Sequence, residues 1–577
     1  MYNNKMHIRK RDKVNTVNNS PVYISITSFS VDKNKWKFEM RVSSRTIFSL
    51  KGIILKRRND ENSEINILYN SSMDRHGNTN VKFEVAPDSL EIDNHYWDFY
   101  LDIQQSGRAV RKRIKNPGYF VIKKLNKKNY SGHHEKEDII YPYITVKKGL
   151  SICKRRATEY DSNKYYRREK IGVILYYLFK WYWDKKQIWI TYEKFSMTAQ
   201  DNSYYFFRYC KENKLKKNIY YIIKKGSQDS LNLQDFKGNV IDFMSVKHII
   251  FLYASKFIIS SESRAHAYIW KENRGLIRRK ILDKKHVFLQ HGVLGLKKVD
   301  NLFKKGNTND TDLFFVSSDR EKEILKTNFG YTEDEIEVSG LSRWDYLENT
   351  KREKNSILVM PTWRDWLDGV PEEDFIKTDF YHNYQELINS PMITDLLSKY
   401  NIKLYFCMHP RLHSYINCFN SNSSKISFMK FGDVRINDLI MKSSLLITDY
   451  SSVAWDMYYL KKPIVFYHAD FNNHRLPGSY LNFPDELFGD ICFNINCLSK
   501  KLEDYIKSNF EEKKVYQNKR EGYFNYVDKK NSLRIYNGIV KHQHRLINDS
   551  LMVIIKNSDL VKAIRSNIYR WKNSIRK

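Results

Sequence analysis

The first part of the chain alternates between apolar and polar positions in short runs. Apolar side chains occupy every second position in residues 36–42, 81–85 and 97–103, and Asn, Asp, Gly and Ser separate such runs. Successive side chains of a β-strand point to opposite faces, so the alternation indicates strands with one buried face. The pattern predicts an antiparallel, β-sandwich-like accessory domain at residues 21–150, serving scaffold contacts or acceptor binding, after a basic tail at residues 1–20.

From residue 186 onwards, continuous apolar runs alternate with helical patterns. Strands are predicted at residues 187–192, 218–223, 257–261 and 286–290, and a helix at residues 246–254. Strands that alternate with helices form parallel sheets covered by helices on both faces. In such sheets, ligands bind beyond the carboxyl ends of the strands.

A second region with the same order of elements begins at residue 356. Strands that end in polar turns are predicted at residues 403–411 and 445–452, after a hinge at residues 338–345. The sequence therefore predicts an α/β fold with two parallel-sheet halves, residues 186–350 and 351–577, and a cleft between them.

Two basic segments have helical patterns. Residues 151–185 predict a basic amphipathic helical linker that is rich in aromatic side chains. Such a helix either lies in the interface of an anionic membrane or packs between domains. The basic helices from about residue 521 to the end of the chain either pack on the first of these two halves or touch a membrane.

Residues 445–467 predict a strand, a polar turn, a helix and a second strand. Ser451 or Ser452 can cap this helix by accepting a bond from a free backbone N–H. The remaining N–H groups and the positive end of the helix dipole suit an anion such as phosphate. The alternative is a serine that only caps the helix, as in many α/β proteins.

His291 follows the strand at residues 286–290, on a turn that Gly292 makes tight. Histidine side chains titrate near neutrality, so one at the carboxyl edge of a sheet suits a general base. Lys297 and Lys298 follow and can pair with phosphate. The alternative is a histidine that only hydrogen-bonds within its loop.

The composition narrows the range of partners. Lys and Arg number 99 and Asp and Glu 66, a formal net charge of +33, which implies nucleic acid, an anionic lipid surface or a phosphate-rich polymer as partner. No nucleic-acid-binding motif is visible. The six Cys are scattered, so neither a zinc site nor a disulfide framework is predicted, and a reducing cytoplasm is favoured. We see no signal peptide and no apolar run near the ~18 residues of a membrane span.

Five motifs follow one another along the chain. They are Gln290-His291-Gly292 with Lys297-Lys298, Gly340-Leu341-Ser342-Arg343-Trp344-Asp345, Pro361-Thr362-Trp363-Arg364, Met408-His409-Pro410 and Ile447-Thr448-Asp449-Tyr450-Ser451-Ser452. In order and spacing they resemble the CDP-glycerol glycerophosphotransferase family, the teichoic acid primases and polymerases. The resemblance covers roughly residues 185–500. It implies a GT-B-like pair of Rossmann-like domains that transfers a polyol phosphate from a CDP-activated donor to a membrane-linked polymer.

The resemblance also implies roles for single residues. His291 corresponds to a histidine that behaves as a base, and His409 to one that is essential in the donor site. The turn from Asp449 to Ser452 falls in the donor's pyrophosphate region. The family often has His-Gly-Thr-Pro where this chain has His291-Gly292-Val293-Leu294. This departure bears on the identity of donor and acceptor, not on the general chemistry.

We therefore expect His291 to accept the proton of an acceptor hydroxyl, whose oxygen attacks the β-phosphorus of a CDP-polyol and displaces CMP. The predicted substrate-binding residues are Lys297, Lys298, Arg343, Thr362, Arg364, Arg411, Asp449, Ser451 and Ser452. No metal site and no tightly bound cofactor is predicted, but Asp449 leaves a role for Mg²⁺ open.

The expected product is a teichoic-acid-like or capsular polymer of glycerol phosphate or, alternatively, ribitol phosphate. A lipid-linked, phosphate-containing acceptor places the protein peripherally on the cytoplasmic face of an anionic membrane. The alternatives are a GT-B glycosyltransferase that uses a nucleotide sugar, a nucleic-acid-binding protein, and a non-catalytic wall-polymer-binding protein. Primase or polymerase activity and the oligomeric state stay open.

Overall fold

The computed structural model describes residues 21–557, apart from residues 59, 61–62, 129–131, 136, 146, 271–275, 308, 350–354, 369, 431–433, 472, 474 and 477. The predicted basic tail at residues 1–20 lies outside the described residues. The chain divides into two compact units. The first is built mainly from residues up to Tyr166, and the second comprises Arg167–Ile269 and Arg279–Val553.

The described part of the first unit up to residue 156 is built mainly from antiparallel strands, together with the helix at Tyr119–Lys128. Its elements are β1 (Tyr23–Asp32), β2 (Lys35–Ser43), β3 (Phe48–Arg57), β4 (Glu64–Ile67), β5 (Tyr69–Met73), β6 (Thr79–Val85), β7 (Tyr96–Gln105), β8 (Arg108–Arg113), α1 (Tyr119–Lys128), β9 (His133–Glu135), β10 (Asp138–Ile144) and β11 (Leu150–Arg156). One sheet has the order β1-β2-β6-β5, and the other has the order β4-β3-β7-β11-β10-β9, with β8 paired to β7.

The two antiparallel sheets contribute to a single apolar core. Alternate side chains of β2 are buried from Trp36 to Val42, which confirms the predicted period of two. Phe83 of the first sheet lies 5.6 Å from Phe99 of the second, measured between ring centroids, and both belong to this core.

The predicted boundary at residue 150 is wrong. β11 continues to Arg156 and pairs antiparallel with both β7 and β10, so the proposed linker begins inside a sheet. Leu150 and Ile152 are fully buried in the core, and this apolar pair holds the strand in place. The first α-helix of the predicted linker begins only at Asn163.

After β11 the helices are α2 (Asn163–Leu178), α3 (Lys180–Lys185), α4 (Asn202–Glu212), α5 (Val246–Ala254), α6 (Ile277–Leu282), α7 (Asp300–Phe303), α8 (Asp319–Ile324), α9 (Glu372–Phe375), α10 (Asp379–Asn389), α11 (Pro391–Lys399), α12 (Ile436–Lys442), α13 (Val453–Tyr459), α14 (Ile495–Lys507), α15 (Lys514–Lys519) and α16 (Asn531–Asn557). The strands are β12 (Ile188–Tyr192), β13 (Ile219–Ile223), β14 (Val240–Asp242), β15 (Ser255–Ser260), β16 (Lys285–Phe288), β17 (Leu313–Val316), β18 (Ile336–Val338), β19 (Ser356–Val359), β20 (Lys403–Cys407), β21 (Ile426–Met429), β22 (Leu445–Thr448), β23 (Ile464–Tyr467) and β24 (Asp490–Cys492).

The second unit contains two parallel sheets, which confirms the predicted α/β fold. The first sheet has the order β14-β13-β12-β15-β16-β17-β18, and the second has the order β21-β20-β19-β22-β23-β24. Every strand pair in these two sheets is parallel. We call the parts of the second unit around these sheets the first half and the second half.

Helix α16 belongs to the first half, although its sequence follows the second. Ile535, Ile539 and Leu546 join the core of the first sheet. The Asp345 carboxylate of the hinge segment accepts bonds from the backbone N–H groups of Asn531 and Ser532, at 2.9 and 2.7 Å. The assignment of all of residues 351–577 to the second half is therefore wrong, and the alternative that the last helix packs on the first half is confirmed.

Cys492 at the end of β24 and Cys497 in α14 form a disulfide, with their Cα atoms 5.4 Å apart. This pair corrects the expectation that the scattered cysteines form no disulfide. Among the described residues, no helix has the length and apolar content needed to cross a membrane.

Candidate active site

A cavity of about 370 Å³ lies where the carboxyl ends of the two parallel sheets meet. Strands of both halves end at it. Of the predicted site residues, those that line it are His291, Lys297, Arg343, Thr362, His409, Ser451 and Ser452. Lys298, Arg364, Arg411 and Asp449 do not line it. The structure thus brings together both predicted histidines, one from each half.

His291 is presented by a strained turn at the end of β16. The preceding residue, Gln290, has a φ of 59°, in the left-handed region, and such strain persists only where neighbours over-determine the backbone. The Gln290 side-chain amide donates to the Phe315 carbonyl at 2.8 Å, and the Asn202 amide donates to the Gln290 carbonyl at 2.8 Å. These bonds fix the backbone from which His291 projects.

Asp201 orients the His291 ring. Its Oδ2 lies 2.5 Å from His291 Nδ1, and Glu262 Oε1 lies 3.9 Å from the same nitrogen. Burial favours the neutral acid, but the interactions with His291 and Arg343 hold the pKa of Asp201 well below its usual range. The ionised carboxylate accepts the Nδ1 proton, which leaves the lone pair on Nε2.

The loop after His291 lies against the second half. Glu321 accepts bonds from the backbone N–H groups of Leu294 and Ser317, both at 2.7 Å, and so fixes the loop. A Cβ at Gly292 would collide with Ser452 Oγ. Glycine is therefore needed for the close approach of the His291 loop to the turn before α13.

His409 lies in a different environment. Its Nδ1 accepts the Arg411 backbone N–H at 3.3 Å, so the neutral ring carries its proton on Nε2. Burial, aided by the charge of Lys194, lowers the pKa of His409 to about 3. His409 is therefore a neutral hydrogen-bond donor at physiological pH.

Several donors along the cavity have no partner within the described part of the chain. Thr362 Oγ1, Trp363 Nε1 and Tyr450 OH are buried there without a hydrogen bond. Lys297 lies with its Nζ 5.5 Å from the centre of the Trp363 ring, and no carboxylate of the described residues pairs with it. Burial, aided by the charge of Arg364, lowers the pKa of Lys297. Donors of this kind, beside an ammonium group, suit an anionic ligand.

Arg364 and Asp449 form the wall behind the cavity. Arg364 Nη2 donates to Asp449 Oδ2 at 2.7 Å and to Asp470 Oδ2 at 2.9 Å. Asp449 also accepts the backbone N–H groups of Thr362 and Tyr450, at 2.8 and 2.6 Å. Burial opposes ionisation of Asp449, but Arg364 and these donors lower its pKa. The pair fixes the turns that carry the cavity's donors, which favours a positioning role over direct substrate binding.

The other predicted residues are placed as follows. Arg343 is buried and bonded to protein carboxylates of both halves. Arg411 pairs with Asp368 at 2.9 Å and lies over the Trp363 ring. Lys298 is exposed outside the cavity. Ser451 Oγ accepts the Val453 N–H at 3.4 Å, whereas Ser452 makes no side-chain cap bond.

Sequence reasoning missed Asp201, Lys194, Trp363 and Tyr450 as site residues. Lys194 follows β12 at the carboxyl edge of the sheet, and this position alone was enough to nominate it. Trp363 and Tyr450 stood within recognised motifs. Asp201 lies 90 positions before His291 and carries no local pattern except an N-cap.

No group of three or more His, Cys, Asp or Glu side chains that could hold a metal occurs among the described residues. Asp449, considered above for Mg²⁺, uses its oxygens on Arg364, backbone N–H groups and the Tyr384 hydroxyl. A dependence on Mg²⁺ stays a prediction.

Comparison with known proteins adds to this geometry. Residues 175–541 match the family model of CDP-Glycerol:Poly(glycerophosphate) glycerophosphotransferase. Residues 16–153 match the TarS beta-glycosyltransferase C-terminal domain 1.

The sequence identity to individual relatives is low. The chain is 28% identical to the minor teichoic acid biosynthesis protein GgaB of Bacillus subtilis, over 78% of this chain and 51% of that protein. It is 27% identical to the teichoic acid ribitol-phosphate polymerase TarL of Staphylococcus aureus, over 38% of this chain and 40% of that protein. A solved structure of the wall teichoic acid polymerase TagF is 19% identical, covers 67% of this chain and 99% of its own, and has a TM-score of 0.45. The chain thus spans about half the length of the GgaB relative.

Proposed function

We propose a function from one premise: the chain belongs to the CDP-Glycerol:Poly(glycerophosphate) glycerophosphotransferase family. It transfers a polyol phosphate, glycerol phosphate first among the candidates, from a CDP-activated donor to a teichoic-acid-like polymer and releases CMP. One observation carries the proposal. Hydrogen-bond donors and an ammonium group that have no partner among the described residues belong to side chains lining a cavity that also holds a carboxylate-bound histidine.

In the proposed reaction, His291 Nε2 takes the proton of an acceptor hydroxyl. The acceptor oxygen forms a bond to the β-phosphorus, and the bond from that phosphorus to the bridging oxygen breaks, so CMP carries away the bridging oxygen. Lys297 and His409 Nε2–H stabilise the negative charge on the phosphates. Preorganised donors of this kind are effective because they need not reorient during the reaction.

The remaining contacts position the donor. Thr362 Oγ1, Trp363 Nε1 and Tyr450 OH can each bond a phosphate or hydroxyl oxygen of the donor. Ser451 and Ser452 line the same wall. The two parallel sheets serve as the GT-B pair around this cleft, and the first unit as a β-sandwich-like accessory domain.

The reaction is tested by incubating the protein separately with CDP-glycerol, CDP-ribitol and a UDP-sugar, each with a lipid-linked acceptor. We expect CMP release with CDP-glycerol, or with CDP-ribitol if the polyol is ribitol. Turnover of the UDP-sugar alone would contradict the proposal and favour the glycosyltransferase alternative.

We also place the protein on the cytoplasmic face of an anionic membrane. One side of α2 packs on α5, where a Cβ at Gly172 would lie 2.6 Å from Ile249. Its other side and α3 expose Ile174, Leu178 and Trp181, whose exposures are 64%, 64% and 73%. Apolar side chains beside basic residues suit the interface of anionic lipid.

Sedimentation with vesicles tests the membrane proposal. Binding to phosphatidylglycerol vesicles should weaken with salt, and the double variant Leu178→Ser/Trp181→Ser should bind less than the wild type. Binding that depends on neither salt, anionic lipid nor these two side chains would contradict it.

A further inference from the structure

Arg343 connects the two halves at the cavity. Its Nε and Nη2 donate to the two carboxylate oxygens of Asp456 on α13, at 2.9 and 3.0 Å. Its Nη1 donates to Asp201 Oδ1 and to the His291 carbonyl, both at 2.9 Å. The residue is only 5% exposed. One guanidinium group is thus shared between the carboxylate that holds His291 and a carboxylate of the opposite half.

We propose that Arg343 is a positioning residue that makes the orientation of His291 depend on helix α13, rather than a residue that binds substrate. The inference rests on the proposed function, in which His291 accepts the proton. It assigns a role in turnover to Asp456, which touches neither histidine.

Asp456 sets the plane of the guanidinium group. Its two oxygens take up two Arg343 donors, and Oδ1 also accepts the Trp344 indole N–H at 2.7 Å. A bidentate carboxylate fixes the direction of the remaining guanidinium donors, because the group is planar and rigid. Those donors point at Asp201 and at the backbone of His291.

Asp201 passes this orientation to the imidazole. Arg343 and the Asn202 backbone N–H hold its Oδ1, at 2.9 and 2.8 Å, so Oδ2 is left to face His291 Nδ1. The positive charge of Arg343 also helps to keep Asp201 ionised. Without Arg343, the carboxylate can turn or take up a proton, and the imidazole loses its fixed tautomer.

The connection begins at the turn that carries Ser451 and Ser452. Both residues line the cavity and directly precede α13, and Asp456 lies on the first turn of that helix. A shift of this turn therefore reaches His291 through three side chains in direct contact: Asp456, Arg343 and Asp201.

The test is a double-mutant cycle on the full chain. Arg343→Gln and Asp456→Asn are each made in the wild type and in His291→Ala, and CMP release from labelled CDP-glycerol gives kcat. In the wild type, we expect kcat to fall about 100-fold for Arg343→Gln, as a slightly misplaced reacting group does. The Kd for CDP-glycerol should change less than about threefold. In His291→Ala, neither substitution should lower kcat further, because a residue that acts through His291 has nothing left to position.

Arg155→Gln is the matched control. Arg155 of the first unit donates to both carboxylate oxygens of Asp161, at 2.8 and 2.9 Å, and does not line the cavity, so its loss should lower the Tm and leave kcat nearly unchanged. Should Arg343→Gln fail to fold, Asp456→Asn carries the test alone, since Asn keeps one acceptor oxygen.

The outcomes separate the two proposals. Full activity of His291→Ala would overturn the proposed function, and with it the role of Arg343. An inactive His291→Ala, together with an additive loss in the cycle, would overturn only the inference. A tenfold rise in the Kd for CDP-glycerol without a change in kcat would also overturn the inference, because it would show that Arg343 binds the substrate.

Discussion

The two halves of the second unit each bring one histidine to the same cavity, in opposite chemical settings. His291 has a half-exposed side chain, and its Nδ1 lies 2.5 Å from the ionised Asp201. His409 is largely buried, has a backbone N–H instead of a carboxylate as its Nδ1 partner, and has a pKa lowered to about 3. A carboxylate on Nδ1 favours a ring that takes up a proton, whereas a backbone donor favours a neutral ring that donates from Nε2. The same residue type thus supports two roles, set by one neighbour each.

Replacement of His291 should have the largest effect on turnover. We expect His291→Ala to lower kcat about 1,000-fold, within the usual range for loss of a general base, with donor Kd changed less than about threefold. His291→Gln should be equally inactive, because an amide has no basic nitrogen. CMP release from CDP-glycerol and isothermal titration with the same donor measure the two quantities. Substantial turnover by either folded variant would show that His291 is not the base.

The same pair of substitutions should act differently at His409. His409→Ala should lower kcat about 100-fold, a loss typical of removing one preorganised donor. The amide N–H of Gln can take the place of Nε2–H, so we expect His409→Gln to recover at least part of this loss. Equal inactivity of the Ala and Gln variants, with both folds intact by circular dichroism, would argue against the donor role.

The two neighbouring lysines offer a smaller contrast. Lys297 lines the cavity and pairs with no carboxylate in the part of the chain that the structure describes, and Lys298 lies outside the cavity. A hydrogen bond to a charged group contributes about 1.5–3 kcal/mol. Lys297→Met should therefore weaken CDP-glycerol binding by tenfold or more, and Lys298→Met by less than about twofold. Similar losses of affinity for both would contradict the position of the donor phosphates in this cavity.

Many of the strands and helices were predictable from the sequence, because they follow local patterns of apolar and polar residues. The predicted helix at residues 246–254 coincides with α5, and both histidines lie at the strand ends where apolar runs stop. Side-chain direction was not predictable. Arg364 and Lys297 both looked like phosphate ligands, yet one is buried against two aspartates and the other faces the cavity.

Contacts between residues that are far apart in the sequence were also not predictable. Asp201 has the local signature of a helix N-cap, and only the packing of α4 against β12, β13 and β15 brings it to His291. Helix α16 has no pattern that distinguishes the sheet it covers. Such pairings depend on tertiary contacts rather than on propensity, which is why the motifs located the cavity but misassigned several of the residues around it.

The last contrast concerns stability rather than turnover. A histidine with a folded pKa of about 3 binds fewer protons than the same residue in the unfolded chain, where its pKa is 6.5. Keeping His409 neutral therefore costs no stability above pH 6.5. Between pH 6.5 and about 3, the unfolded chain binds a proton that the folded chain does not, so the free energy of unfolding falls as the pH falls. His409→Gln has no such titration, so its free energy of unfolding relative to the wild type should rise by about 3 kcal/mol between pH 7.5 and pH 4.5. His248 and His286, whose pKa values burial also lowers to about 3, are present in both proteins and cancel. Urea unfolding at both pH values measures the difference, and a constant offset would mean that His409 titrates alike in the folded and unfolded chains.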